Sequence, residues 1–410
     1  MEWHRQQDAL EEDVRTYVLQ RVDLSRDVSD AELLEMIQNR ICTLSEEIHL
    51  TIERRLEIQR RVFHSLRKLD VLEDLLADKA ITEIMINGPD HIFIEKHGKV
   101  YESGYHFTSR EKLEDVIQKI AGANNKMANE THPIIDTRLS DGSRVNIVLP
   151  PIAVDYPVIS IRKFPDDYIT MAKLMEYESL SQEVNDFICK LVQAGYNIFV
   201  SGGTGSGKTT FLNAMAEYIP SDERVVTIED SAELNLVSIQ NLVRLEARDA
   251  TMEGKYEISI RELLRASLRM RPDRIIVGEC RGAEALEMLQ AFNTGHDGSF
   301  STGHANSARD MVSRLETMVL MSGEIPIVSV RSQIASAVDI IIHLGRLRDK
   351  SRKLLEISEV TGLRNNEVQL STLYKFRETS YDGRISGVWE RIEKLKNTEK
   401  LQRAGIKLMM

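Results

Sequence analysis

A glycine-rich loop between two apolar segments restricts the fold of this chain more than any other feature. Residues 202–209, GGTGSGKT, fit the phosphate-loop pattern G-x-x-x-x-G-K-[ST] at every position. The run NIFVS precedes the loop and TTFLNAMAEYI follows it, which predicts a strand, the loop and then a helix. Such a unit belongs in a parallel sheet covered by helices. The predicted nucleotide-binding residues of the loop are Gly202, Gly203, Thr204, Gly205, Ser206, Gly207, Lys208, Thr209 and Thr210.

The chemistry of this loop follows from its residue types. Glycines let backbone N–H groups converge on phosphates, and the N-terminus of the helix adds partial positive charge. Lys208 would reach the β- and γ-phosphates, and the Thr209 hydroxyl would hold Mg²⁺. The alternative, a glycine-rich turn without a ligand, explains neither the lysine nor the strand and helix around it.

Hydrophobic patterns divide the rest of the chain. The region before residue 165 contains short strands with turn signals, a helix beginning near Ser109 and a hairpin at Asp141-Gly142. After it, wholly apolar strands alternate with helices, which is typical of an α/β fold. The predicted domains are a helical module at 1–80, an α+β domain at 81–165, a linker at 166–177, an α/β phosphate-loop domain at 178–362 and a tail with a terminal helix at 363–410.

Composition limits the function classes. The 410 residues carry a net charge of −11, which argues against sequence-independent DNA coating, because that affinity comes from neutralising phosphates. Three cysteines lie far apart and form no CxxC pair, so we expect no disulfide framework and a reducing cytoplasm. We see neither a signal peptide nor a run of ~18 apolar residues. The sequence therefore predicts a cytoplasmic protein that reaches a membrane through a partner.

Hydrolysis of a bound nucleotide requires groups beyond the phosphate loop, and two acidic sites are candidates. Glu279 ends the apolar strand that begins at Arg274, where a carboxylate could order water near Mg²⁺. The alternative for Glu279 is an edge carboxylate paired with Arg281. Glu229 and Asp230 end the strand VVTIE at the same sheet edge, and the alternative for Asp230 is a helix cap.

Two histidines follow in the segment NTGHDGSFSTGHANS, at positions 296 and 304. A zinc site is conceivable, but no cysteine is near and the histidines are eight residues apart. Hydrogen bonding of His304 or His296 to a γ-phosphate or to a nearby carboxylate is the better use. A role for both as core histidines stays open.

These motifs, in this order, resemble the secretion ATPase superfamily, whose members drive type II and type IV secretion and type IV pili. The resemblance rests on the phosphate loop, TIEDSAEL (227–234, the Asp box), VRLEAR, LLRASLRMRPDRIIVGECRGAEAL (263–286, Arg-rich segment and Walker B strand) and NTGHDGSFSTGHANS (293–307, the His box). It covers roughly residues 66–362 and is closest to the CpaF (TadA) branch of Tad/Flp pilus assembly ATPases. The four-cysteine zinc insert of the type II branch is absent from the sequence, which disfavours that branch.

The resemblance implies a PAS-like N-terminal domain joined to a RecA-like motor domain, a ring-shaped homo-hexamer, and ATP with Mg²⁺ bound between the domains. The resemblance also implies the following site residues, motif by motif: Lys208 and Thr209 for Walker A, Glu229 for the Asp box, Glu279 for Walker B, His304 for the His box, Arg144 and Arg162 for the N-terminal domain, and Arg248 and Arg269 for the Arg-rich region. Thr209 and Glu229 are the implied metal ligands.

The function implied is a cytoplasmic ATPase at the inner face of the membrane that powers pilus assembly or secretion through an integral membrane platform protein. Two alternatives remain: a conjugation-type traffic ATPase or RecA-like DNA motor, and a non-enzymatic adaptor gated by nucleotide. The acidic net charge and the absence of basic stretches interleaved with aromatic residues weigh against direct DNA handling. The adaptor leaves Glu279 and His304 without a use.

Overall fold

The computed structural model describes residues 2–22, 26, 28–96, 98–164, 169–248 and 257–407, with the backbone alone for 2–8 and 47. The chain divides into two compact units, residues 1–166 and 167–410. Each unit has its own sheet and its own buried core. In the described residues, none of the helices combines the length and the apolar character that crossing a bilayer requires.

The first unit begins with three helices that pack around a small apolar core, as the sequence predicts. Apolar residues at steps of three and four place Val14, Ile37 and Ile58 in that core. Ser29 and Thr51 cap the second and third helices by accepting backbone N–H groups with their hydroxyls. The bounds are α1 (Glu2–Leu19), α2 (Asp30–Glu47) and α3 (Ile52–Arg67).

A six-stranded antiparallel sheet forms the rest of the first unit. The predicted hairpin is present, with Asp141 and Gly142 between its strands, and Ser109 caps the predicted helix. The part of the chain that packs against this sheet begins before the predicted limit at residue 80, because Leu72 and Leu75 of a short helix belong to the core of the sheet. The elements are α4 (Leu72–Ala77), β1 (Ile81–Asn87), β2 (Ile92–Lys96), β3 (Lys99–Glu102), α5 (Arg110–Ala123), β4 (Ile134–Arg138), β5 (Arg144–Val148) and β6 (Val158–Arg162), in the sheet order β3-β2-β1-β6-β5-β4.

The second unit is built on a nine-stranded sheet whose first part is parallel, which confirms the predicted α/β class. Apart from the edge strand β9, its parallel strands are largely apolar on both faces, because helices α6–α8 cover one face and α9–α12 the other. The elements are α6 (Met171–Glu176), α7 (Gln182–Gln193), β7 (Ile198–Gly202), α8 (Lys208–Met215), β8 (Arg224–Glu229), β9 (Asn241–Glu246), α9 (Ile260–Ser267), β10 (Arg274–Val277), α10 (Ala285–Asn293), β11 (Phe300–Gly303), α11 (Ala308–Leu320), α12 (Ile327–Ala337) and β12 (Ile340–Arg346).

The predicted tail at 363–410 is not a separate segment. The limit at residue 362 falls inside strand β13, and two more antiparallel strands extend the same sheet. β13 pairs with β12, β14 with β13 and β15 with β14. These hydrogen bonds join residues that are distant in sequence, so a local pattern cannot predict them. This part of the chain therefore belongs to the second unit. The elements are β13 (Arg352–Arg364), β14 (Glu367–Tyr381), β15 (Ile385–Arg391) and α13 (Glu399–Arg403), and the sheet order is β15-β14-β13-β12-β7-β11-β10-β8-β9.

The predicted linker at 166–177 is also different in the structure. Residues 165–168 lie outside the described residues, and with them the predicted limit at residue 165. The remainder forms α6, in which Met171 and Leu174 are buried against the α7 and α8 face of the sheet. Thr170 caps this helix through the N–H of Lys173. Two buried apolar side chains on one short helix make it part of the second unit.

Candidate nucleotide-binding site

The phosphate loop leaves the carboxyl end of β7, near the middle of the sheet, and runs into α8. Gly205 and Gly207 have positive φ angles of 70° and 92°, which L-residues with a Cβ adopt at a cost. A Cβ on Gly202 would lie 2.5 Å from the Leu344 carbonyl oxygen and from Ser206 Oγ. Gly202, Gly205 and Gly207 are therefore required by backbone shape or close packing before any ligand is considered.

Lys208 is the first residue of α8, and its side chain folds back over the loop. Its Nζ donates to the Gly203 carbonyl at 3.2 Å and lies 3.4 Å from His304 Nδ1. Burial lowers the pKa of this ammonium, against a raising effect of Glu279. The next two residues, Thr209 and Thr210, are partly exposed in the first turn of the helix. This turn and the loop amides form an anion-binding end of a helix.

Glu279 stands immediately beyond β10, where the sequence predicts the Walker B acid. Its Oε1 lies 3.0 Å from His304 Nε2 and its Oε2 accepts from Arg281 at 2.8 Å. Arg281 also lies 3.6 Å from Asp230. Burial raises the pKa of Glu279, but Arg281, His304 and Lys208 outweigh burial and lower it overall. Glu279 is therefore a carboxylate at neutral pH, and its predicted pairing with Arg281 exists alongside the contact with His304.

His304 connects the loop lysine to the Walker B acid. Lysine is a donor only, so Nδ1 is the acceptor in the contact with Lys208. Nε2 lies 3.0 Å from Glu279 Oε1, but that buried oxygen has no hydrogen-bond partner. Burial, followed by the charge of Lys208, lowers the pKa of His304, so the ring is neutral at pH 7. The sequence predicted each of these three residues, but not that they form one continuous cluster.

Glu229 ends β8 and is buried at 3% exposure. Its Oε1 accepts from the N–H groups of Glu233 and Leu234 at 2.8 and 2.9 Å. Burial raises its pKa to about 7, against the lowering effect of those hydrogen bonds. The other oxygen, Oε2, is buried without a hydrogen-bond partner. A buried carboxylate oxygen in that condition suits a hard cation, so the chemistry of Glu229 is compatible with its predicted role as a Mg²⁺ ligand.

His296, the other histidine of the His box, lies at a different position from His304. His296 Nδ1 contacts the Ala291 carbonyl at 3.0 Å at the end of α10, whereas His304 follows β11. Among the described residues, no group of three or more His, Cys, Asp or Glu side chains could hold a metal ion together. The zinc alternative therefore has no support in that part of the chain, and His296 is a structural residue.

Three arginines of the first unit lie in one row across neighbouring strands. Arg144 is directly opposite Arg162 on β6 and Arg138 on β4, so all three project from the same face. Sequence reasoning named Arg144 and Arg162 and missed Arg138, although the alternating pattern of the DG hairpin could have revealed it. Like charges in direct register are unfavourable unless an anion or acid compensates them.

The two arginines of the Arg-rich segment lie away from the phosphate loop of this chain. Arg248 follows the edge strand β9, four strands from β7, or roughly 19 Å at ~4.8 Å per strand. Arg269 lies between α9 and the beginning of β10, at the edge of the sheet opposite the loop. Both are exposed. The prediction that they bind nucleotide therefore does not fit this chain's own site.

A cavity of about 270 Å³ opens beside the loop on the β12–β13 side. Phe211, Leu174 and Leu354 give it apolar walls, and Ser206 and Thr210 belong to the phosphate loop itself. Its mixture of apolar and polar groups is that of a small-molecule site, and its volume is just below the ~300 Å³ of the smallest such sites. Sequence reasoning missed it, because its walls come from α6, α8 and β13, which are far apart in the chain.

Comparison with known proteins identifies the family. Residues 64–405 match the model of the family described as "Type II/IV secretion system protein". The chain belongs to this type II/IV secretion family. Among its relatives in the family, the conjugal transfer protein TrbB of Rhizobium radiobacter is 35% identical over 75% of this chain and 92% of TrbB. The type IV secretion system protein PtlH of Bordetella pertussis is 33% identical over 68% of this chain and 89% of PtlH.

Solved structures of secretion ATPases share the fold. The ATPase DotB of Yersinia pseudotuberculosis superposes with a TM-score of 0.53 at 20% identity, over 72% of this chain and 79% of DotB. At that identity the likeness concerns the fold alone: a RecA-like domain with an upstream domain. The predicted superfamily and fold class are confirmed. The assignment to the Tad/Flp branch stays a prediction, because these relatives belong to conjugation and type IV secretion.

Proposed function

We propose that this protein is an ATPase that couples ATP hydrolysis to transport or pilus assembly at a membrane. The observation that carries the proposal is the contact chain from Lys208 through His304 to Glu279 beside a complete phosphate loop. A nucleotide-gated adaptor needs the loop, but it needs neither a water-activating carboxylate nor a histidine beside it.

The residues divide the chemistry among them. Loop amides, the N-terminus of α8 and Lys208 hold the phosphates and offset their charge. Thr209 and Glu229 would hold Mg²⁺, which would supply positive charge beside the phosphates. Glu279 orients the attacking water, and its low pKa keeps it an acceptor for the water proton. Neutral His304 can donate Nε2–H to the γ-phosphate when it leaves Glu279, which would report the presence of that phosphate.

The nucleoside has a place beside the loop. The cavity of about 270 Å³ shares Ser206, Gly207 and Thr210 with the phosphate-binding turn, so a base and ribose there would continue into phosphates on the loop. Its apolar walls supply the contact that an aromatic base requires. We therefore assign the cavity to the nucleoside part of ATP.

The first unit supplies charge rather than nucleotide specificity in this proposal. Arg144 and Arg162, with Arg138 in the same row, would meet the phosphates when the two units close, because a guanidinium forms forked, charge-assisted bonds to phosphate. Opening after hydrolysis would then move one unit against the other. A homo-hexamer at the inner face of the membrane, acting on an integral membrane platform protein, would deliver that motion to a Tad/Flp-type pilus.

A second candidate function is conjugation-type transfer or type IV secretion. It is favoured by the relatives, since TrbB is a conjugal transfer protein and PtlH a type IV secretion protein. The motor chemistry is the same in both candidates, but the cargo differs. ATPase activity that rises on adding DNA, with a steep loss at higher salt, would favour DNA transfer; an unchanged rate would favour the pilus or protein branch.

Phosphate release from ATP tests the proposed activity. We expect Mg²⁺-dependent turnover from the wild type and a loss of about 10²–10⁴-fold in Glu279→Gln, the usual contribution of a positioned general base. Nucleotide binding should persist in this variant, because Glu279 is beyond the loop.

Glu399→Gln on α13 is the matched control, since this exposed glutamate pairs with Arg403 on its own helix. It should turn over ATP at the wild-type rate. Wild-type turnover in Glu279→Gln would remove that residue from catalysis, and no turnover in the wild type would contradict the ATPase assignment.

A further inference from the structure

An arginine of the C-terminal strands lies directly on the phosphate loop. Arg352 begins β13, and its Nε donates to the Gly205 carbonyl at 2.8 Å across 147 positions of sequence. Its Cδ would be 3.3 Å from a Cβ on Gly207, so the side chain lies against the left-handed residue before α8. This contact fixes a guanidinium within a few ångströms of the loop amides.

Arg348 and Lys353, two other basic residues near the β12–β13 turn, are held by other groups, although Lys350 and Lys353 also line the cavity beside the loop. Arg348 pairs with Glu378 at 2.7 Å and stacks on Tyr381, and Lys353 donates to the Glu178 carbonyl at 2.7 Å. Arg346 is the exception, since its Nη1 would be 3.9 Å from a Cβ on Gly205. Two arginines of this turn therefore flank the loop on the side away from His304.

Arg352 also lines the cavity that we assign to the nucleoside. It therefore lies between the nucleoside cavity and the middle of the loop, whereas Lys208 and His304 approach from the Walker B side. A nucleotide that fills both places must pass its first phosphates beside this guanidinium. The planar fork of arginine matches two phosphate oxygens, which an ammonium cannot do.

We propose that Arg352 is a nucleotide-binding residue that contacts the phosphates next to the ribose, with Arg346 adding charge beside it. The inference rests on the proposed nucleotide site and adds a cation from the same unit, independent of Arg144 and Arg162. Without nucleotide, the guanidinium holds the loop through Gly205. With nucleotide, it exchanges that carbonyl for α- and β-phosphate oxygens, which ADP and ATP share.

Titration of the full chain with Mg-ADP and Mg-ATP tests the proposal. Arg352→Gln removes the charge but keeps an N–H that can reach the Gly205 carbonyl, so the loop should stay folded. We expect affinity for both nucleotides to fall by the same factor, at least about tenfold, the effect of losing one charge-assisted bond. Arg352→Lys, which keeps the charge but loses the fork, should fall between the wild type and Arg352→Gln.

Arg348→Gln is the matched control, because it removes the same charge from the same turn without touching the loop. It should bind ADP within about twofold of the wild type, since an exposed charge at that distance is screened. Three results would each overturn the inference. The first is that Arg352→Gln binds ADP as tightly as the wild type, and the second is that it loses affinity for ATP alone. The third is that its loss of affinity is no larger than that of Arg348→Gln. A wild type that binds neither nucleotide would instead contradict the proposed function. Thermal unfolding without nucleotide checks the fold of each variant. If Arg352→Gln unfolds at a lower temperature than the wild type, the nucleotide affinity of Arg352→Lys tests the inference in its place.

Discussion

Single residues in the site show how local chemistry depends on distant neighbours. Glu279 and Arg281 are two positions apart, and the sequence offered their pairing as an alternative to catalysis. The structure shows both relations at once, because the opposite oxygen of Glu279 faces His304. A carboxylate between two cationic or donor groups keeps a low pKa despite burial, which is the state that a water-orienting residue requires at neutral pH.

His343 is a buried histidine that the proposed mechanism does not use. Its surroundings predict how the stability of the protein depends on pH. It lies on β12 next to β7 and its Nδ1 is 2.9 Å from Ser201 Oγ. Burial lowers its pKa, against the raising effects of Glu356 and Asp310. The folded state therefore binds the proton less readily than the unfolded chain, whose histidines titrate near 6.5. The contribution of His343 is fully present above 6.5, begins to fall as the pH drops below 6.5, and is lost as the pH falls through the lower pKa of the folded state.

We expect the wild type to lose more unfolding free energy between pH 7 and pH 5 than His343→Gln, which cannot take a proton. Urea unfolding at the two pH values measures the difference. His91→Gln, at an exposed position with 64% of its side chain accessible, is the control and should follow the wild type. Equal losses in the wild type and His343→Gln would mean that His343 is protonated in the folded protein as easily as in the unfolded chain.

At the scale of elements, the sequence predicts best where the chemistry is local. The phosphate loop with its strand and helix, the DG hairpin and the Ser109 cap depend on neighbouring residues, and each is present. Strands β13–β15 depend on pairing with β12, and their many charged side chains resemble those of a surface helix or loop. The Arg352 contact joins residues 147 positions apart, so no local pattern could reveal it.

Lys400 joins the last helix, α13, to the sheet, beside the buried Leu401 of the same helix. Lys400 lies 2.7 Å from Asp339 and 2.6 Å from Asp297, and it donates to the Gly195 carbonyl. Asp339 is buried, which raises its pKa against the lowering effect of Lys400. We expect Lys400→Met to destabilise the protein by about 3 kcal/mol, because it leaves the Asp339 carboxylate with the Asn197 N–H but without a cation. Chemical unfolding at pH 7 measures this loss.

Arg403→Met on the same helix is the control for that experiment. Arg403 pairs with Glu399 at 3.6 Å, and both side chains are about three-quarters exposed, so the change should stay within about 0.5 kcal/mol. A similar loss of unfolding free energy in the two variants would mean that α13 stabilises the protein through helix formation rather than through the ion pair of Lys400 with Asp339.

At the scale of the whole molecule, the site is assembled by the order of strands in the sheet. The parallel strands β7, β11, β10 and β8 bring the phosphate loop, His304, Glu279 and Glu229 to one carboxyl edge. The same topology explains why Arg269, before β10, lies at the opposite edge. The motifs alone could name these residues, but the strand order decides which of them share a site.

The arginine row of the first unit leads to the last prediction. If closure of the two units brings Arg144 and Arg162 to the γ-phosphate, the double change Arg144→Gln and Arg162→Gln should lower kcat by at least about 10²-fold, because charge that develops in the transition state loses its partners. Affinity for ADP should change little, since the loop, Arg352 and the nucleoside cavity all belong to the second unit. Arg110→Gln is the control, as this exposed arginine of the first unit pairs with Glu114 on its own helix. An equal loss of ADP affinity and kcat in the double variant would place the arginines in ground-state binding instead. An unchanged kcat would mean that the second unit alone completes the catalytic site, and that motion of the first unit follows hydrolysis rather than enabling it.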